Sequence, residues 1–176
     1  MGEDTIDRLL DRAYLAGVAG LRIEEIRAKR AELQEAETGL SYLRRVVQGR
    51  IDIASAELRR RREGGDPADV SRLIEQLPTI LADHLRAPGV GRLPLGVGSG
   101  TVDPAFQARV DEAVAVLDDL AVLSDDELDA AGTRLADLEH ETSDRRHALF
   151  ERIDALQAEL TRRYRAGEAN VESLLK

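Results

Sequence analysis

Apolar residues recur every seven positions at Ile26, Leu33, Leu40, Val47 and Ala54, and a second series near the C-terminus reads Leu128, Leu135, Thr142, Leu149 and Leu156. A seven-residue apolar repeat is one half of a heptad seam. It predicts two long helices, one from Leu21 to about Arg62 and one from Ser124 to about Arg165. Gly64-Gly65 stops the first, and Gly167 stands near the end of the second, where Arg162, Arg163 and Arg165 suit the C-terminal dipole. Ser124-Asp125-Asp126-Glu127 has the form of a capping box. Gly39 and Gly49 lie within the first helix and each weakens it by about 1 kcal/mol relative to Ala.

The remaining segments predict shorter elements. Asp4 is placed to cap an amphipathic helix through about Leu15, punctuated by Gly17 and Gly20. Asp66-Pro67 opens a helix that Pro78 kinks or ends before about Leu85, and Asp103-Pro104 opens another through about Leu120. Between them, residues 87–102 are rich in Gly and Pro with no apolar period, as in a flexible connection. The apolar faces of the short helices (Leu73, Leu77, Ile80, Leu81; Val110, Val114, Leu117) suit packing on the long helices or on a partner. The expected fold is all-α: a long antiparallel two-helix coiled coil with short accessory helices and a Gly/Pro-rich connection. Its segments are a short N-terminal helix (1–20), a first coiled-coil helix (21–63), short helices with the linker (64–123), a second coiled-coil helix (124–166) and a tail (167–176).

The companion half of the seam breaks its own pattern. It reads Ile23, Arg30, Glu37, Arg44, Ile51 and Leu58, and in the second helix Glu139 and Arg146 precede Ile153 and Leu160. Sliding residues 37–62 onto 139–164, an offset of 102, gives identity at 11 of 26 positions: Glu37, Ser41, Arg44, Arg50, Ile51, Asp52, Ala56, Glu57, Leu58, Arg60 and Arg61. The long helices thus read as two copies of one unit. Each carries a spaced polar stripe, Glu37-Ser41-Arg44-Gln48-Asp52 and Glu139-Ser143-Arg146-Phe150-Asp154. Steps of three and four residues keep such a stripe on one face over roughly 20 Å, at about 1.5 Å per residue. Charge at seam positions weakens a coiled coil, so it records either a register device or a site for something other than a helix.

Composition narrows what that site takes. The chain has 176 residues, 34% of them charged and 3% aromatic, with a net charge of -9 that argues against general affinity for DNA. Arg59 to Arg62, close to a helix end, suit the dipole better than a phosphate backbone. No Cys is present, and His84, His140 and His147 form no ligand constellation, so neither a metal nor a resident cofactor is expected. Nucleophile–base pairs and phosphate-binding glycine loops are absent, which argues against an enzyme. Met1 to Tyr14 is acidic and unlike a secretory signal, and no apolar run of about 18 residues occurs. A cytoplasmic protein without membrane contact is the expectation. Connected by about 60 residues, the helices can fold back antiparallel and set the stripes around an approximate two-fold axis. Arg offers a fork to guanine O6 and N7 or to phosphate, and carboxylates accept from guanine N1–H and N2–H. One guanine-plus-phosphate unit per helix fits this inventory.

With these stripes the chain resembles the RsiG-type anti-sigma factors that respond to cyclic di-GMP, whose signature E-x3-S-x2-R-x3-Q-x3-D stands on each of two antiparallel helices. Glu37, Ser41, Arg44, Gln48 and Asp52 match all five positions; Glu139, Ser143, Arg146 and Asp154 match four, with Phe150 in place of Gln. The resemblance implies a regulatory ligand, cyclic di-GMP as an intercalated dimer, held by these nine residues. It also implies a partner, a sporulation sigma factor of the WhiG type, captured by the loaded form and kept from core RNA polymerase. Phe150 can stack on a base or fill the seam, and Arg45 and His147, aligned at the offset of 102, can lie near a phosphate. The alternative is a coiled-coil adaptor that needs no small molecule, with the stripes fixing helix register.

Overall fold

A computed structural model describes residues 5–69, 71–80 and 104–167. Helical residues make up 83% of these, and none of the described residues lies in a strand. The elements are α1 (Thr5–Leu10), α2 (Ile23–Arg62), α3 (Ser71–Ile80), α4 (Pro104–Ala115) and α5 (Asp125–Arg165), with 3-10 turns at Arg12–Leu15 and Val18–Gly20. The all-α fold of two long helices packed together with short helices around them is as expected. The expected flexible connection at 87–102, the capping residue Asp4, residues beyond Ile80 of the third helix and the tail beyond Gly167 lie outside the described residues.

The chain divides into two compact units, Met1–Leu40 with Ser99–Asp103 and Asp144–Lys176, and Ser41–Gly98 with Pro104–Ser143. In the first, rising numbers on α2 meet falling numbers on α5: Arg27 donates to the Tyr164 hydroxyl, Arg30 to Gln157, and Arg146 to Glu37. In the second, Gln48 donates to Glu139 and Arg61 to Asp125, again an antiparallel order. All ten residues of the two heptad series are buried. Thr142 tolerates its seam position because its hydroxyl donates to the Leu138 carbonyl one turn back, at 2.6 Å. Ile23, Arg30, Glu37, Arg44, Ile51 and Leu58 are half-buried, so the charged companion series borders the seam without entering it.

Each unit closes with the same device. In the first, Arg163, itself buried, donates to Glu159 at 2.7 Å, to the carbonyls of Val18 and Ala19 at 3.0 and 2.9 Å, and to that of Leu21. In the second, Arg61 donates to Glu57 at 2.6 Å, to the Leu120 and Leu123 carbonyls at 2.6 and 2.7 Å, and to Asp125 at 3.0 Å. Val18 and Leu120, Leu21 and Leu123, Glu57 and Glu159, and Arg61 and Arg163 are all 102 residues apart. The duplication read in the sequence is therefore also a duplication of contacts. Helix starts follow it too, since the Glu25 carboxylate accepts from the Arg22 N–H at 2.7 Å and that of Glu127 from the Ser124 N–H at 2.8 Å.

The short elements depart from expectation where side chains compete with the helical backbone. Asp11 accepts from the Ala13 N–H at 2.6 Å and starts a separate 3-10 turn, so the N-terminal helix stops at Leu10 instead of about Leu15. Asp66 holds a turn through the Ala68 N–H, and it is Asp69 that accepts from the Ser71 N–H at 3.1 Å, so α3 begins at Ser71. Pro78 is accommodated inside α3. The helix opened by Pro104 ends at Ala115 and gives way to tight turns, Leu117 N–H to Val114 and Asp118 N–H to Ala115. These turns leave the Leu120 and Leu123 carbonyls for Arg61.

Candidate functional site

The long helices position the polar stripes, and each unit holds its own set. In the first unit are Glu37 from α2 and Arg146, Phe150 and Asp154 from α5. Arg146 Nε donates to Glu37 Oε1 at 2.8 Å, and both side chains are largely covered. The Arg146 guanidinium carbon lies 5.1 Å from the centroid of the Phe150 ring. Phe150 is 39% exposed while its neighbour Leu149 is fully buried, so Phe150 does not fill the seam. Asp154 is exposed, and His147, also exposed, lies 3.5 Å from Glu151 on its own helix.

In the second unit are Ser41, Arg44, Gln48 and Asp52 from α2 and Glu139 and Ser143 from α5. Glu139 Oε1 accepts from Gln48 Nε2 and from Ser143 Oγ, both at 3.0 Å, and Arg44 Nη1 stands 3.6 Å away. That last distance makes an ion pair without a hydrogen bond. Asp52 faces α3, where it lines an open pocket of about 590 Å³ with Ser55, Arg59, Gln76, Thr79 and Ile80. Ser41 is half-buried and Arg45 is exposed.

The two sets share a rule: the Glu of one motif pairs with the Arg of the other, Glu37 with Arg146 and Glu139 with Arg44. Antiparallel pairing of two copies dictates this exchange. Each pair presents an acceptor and a planar donor fork side by side, the combination that a guanine edge plus an anionic oxygen requires. Asp52 lines the pocket against α3, His147 pairs with Glu151, and Arg45 and Asp154 are exposed, so the structure gathers part of the expected set around the two pairs.

Sequence reasoning passed over the Glu57–Arg61 and Glu159–Arg163 clusters, reading their arginines as partners of the helix dipole. The missed signal was in the repeat, because Glu57, Arg60 and Arg61 are among the eleven identities. Arg60 adds bidentate bonds to Glu57 at 2.8 and 2.7 Å, and Arg162 to Glu159 at 2.8 Å each. Hydrogen bonds from Arg162 and then Arg163 pull the Glu159 carboxyl down to about 2. Burial works against ionisation of Glu57, yet bonds from Arg60 and Arg61 outweigh it and hold that carboxyl below its ordinary range.

Among the described residues no group of His, Asp and Glu is arranged to hold a metal ion, and no helix is long and apolar enough to cross a membrane. No curated protein matches the chain. Residues 12–81 and 115–176 match the family described as RsiG-like, a span that includes all of α2 and α5 and both polar stripes. The chain belongs to the RsiG-like family.

Proposed function

We propose that this chain is an anti-sigma factor whose two motifs bind cyclic di-GMP and whose loaded form sequesters a WhiG-type sigma factor. Family membership points to an anti-sigma role, a sigma factor as partner and regulation instead of catalysis. The observation that carries the finer reading is the exchange of Glu–Arg pairs between the two copies. Glu37 and Arg146 are hydrogen-bonded to one another, whereas Glu139 is held by Gln48 and Ser143 with Arg44 beside it at 3.6 Å. A guanine nucleotide brings complements for both, N1–H and N2–H for the carboxylate and O6, N7 or a phosphate oxygen for the arginine. Charge-assisted hydrogen bonds to such a ligand are worth about 1.5–3 kcal/mol each. The ligand therefore finds an acceptor and a donor fork set side by side and leaves no charge unmatched.

A net charge of -9 complements the basic promoter-reading surface of a sigma factor. Nucleotide and partner affinities are then reciprocally coupled. The test is calorimetric titration with cyclic di-GMP, with sigma factor present and absent, on the wild type, Arg44→Ala and Arg146→Ala. Binding by the wild type and its loss in both variants, at unchanged helicity, is the expected result. Absence of heat in either condition sinks the proposal. The same Glu–Arg exchange also favours a second reading, in which the pairs fix helix register in a ligand-independent adaptor. Co-elution with sigma factor irrespective of nucleotide would select it.

A further inference from the structure

The two copies differ at one motif position, and that difference has a physical form. Where α2 has Gln48, the amide donates to Glu139 at 3.0 Å, Ser143 donates to the same oxygen, and Arg44 remains at 3.6 Å. The carboxylate is held there and the arginine is not. Where α5 has Phe150, no amide is available. Instead the Arg146 guanidinium lies over the ring at 5.1 Å while its Nε is bonded to Glu37 at 2.8 Å. One edge of the guanidinium is thereby bonded and the group is held beside the ring.

We infer that Phe150 is a positioning residue: it holds the Arg146 fork in place and makes the Glu37–Arg146 half-site the preorganised, tighter one for an anionic guanine nucleotide. The inference rests on the reading that the motifs take such a nucleotide. A guanidinium bonded at Nε and held over a ring has already lost rotamer freedom that Arg44 loses on binding. Freezing one such side chain in advance is worth about 2- to 10-fold in affinity. The exposed ring also leaves π-surface beside the fork, on which a purine can stack.

The test is titration of the full chain with cyclic di-GMP, alone and with sigma factor, for the wild type, Phe150→Leu, Phe150→Gln and Phe150→Tyr, with thermal melting of each. Leu keeps the apolar volume without the ring, Gln restores the residue of the other copy, and Tyr keeps the ring. Phe150→Leu and Phe150→Gln are expected to weaken binding by about 2- to 10-fold, with Tyr within about 2-fold of the wild type and all four melting alike. Leu or Gln binding as tightly as Phe, or Tyr failing to rescue, overturns the inference while leaving the nucleotide reading intact. A wild type that takes no nucleotide in either condition removes both.

Discussion

Arginine rather than lysine closes this molecule, and the planar fork explains why. Arg61 reaches Glu57, Asp125 and two carbonyls at once, and Arg163 does the same with Glu159 and three carbonyls. A lysine ammonium cannot span such a spread of acceptors. Arg61→Ala should lower stability by about 3 kcal/mol in urea unfolding, because Glu57 is left buried with Arg60 as its remaining cation, and Arg61→Lys should recover only a fraction. These carboxylates also set an acid limit. Both have folded-state pKa values depressed from 4.5, Glu159 to about 2, so their stabilisation is complete above about pH 4.5 and is lost as pH falls toward 2. Denaturant midpoints measured between about pH 6 and 3 should fall, and Glu159→Gln should flatten that fall.

At the scale of elements, the seam carries the fold. Leu40→Ala or Leu149→Ala, each at a fully buried seam position, should cost about 2–5 kcal/mol with an unchanged far-ultraviolet dichroism spectrum below the transition. Loss of the Glu127 cap by substitution with Ala should lower the unfolding midpoint in the same measurement, since the Ser124 N–H and hydroxyl both lose their acceptor. This level of structure was readable from the chain because a heptad fixes burial directly: Ile26, Leu33 and Leu40 all went where their spacing placed them. Helix ends set by glycine were equally readable, as Gly64 and Gly167 take positive φ of 87 and 74. The start of α3 and the break after Leu10 were not. They depend on which Asp captures which nearby N–H, Asp66 that of Ala68, Asp69 that of Ser71 and Asp11 that of Ala13, and such local contests leave no periodic trace. Within the site, the motif spacing foretold which residues share a face. It did not foretell that Glu and Arg would pair between copies while Asp52 and His147 lie elsewhere, since that follows from the register of one helix against the other.

At the scale of the whole molecule, the reciprocal closure has a consequence for connectivity. Arg61, at the tail of the first copy, grips the carbonyls at the head of the second, and Arg163, at the tail of the second, grips those at the head of the first. Neither grip depends on the peptide link between Ile80 and Pro104. A chain severed in that interval should behave as two complementary fragments that find and retain one another, each supplying the clasp the other lacks. Co-expressed fragments ending at residue 80 and beginning at residue 104 should co-purify, and Arg61→Ala combined with Arg163→Ala should weaken that association, the buried seam remaining. In that sense the molecule is a dimer whose two subunits happen to be written on one strand.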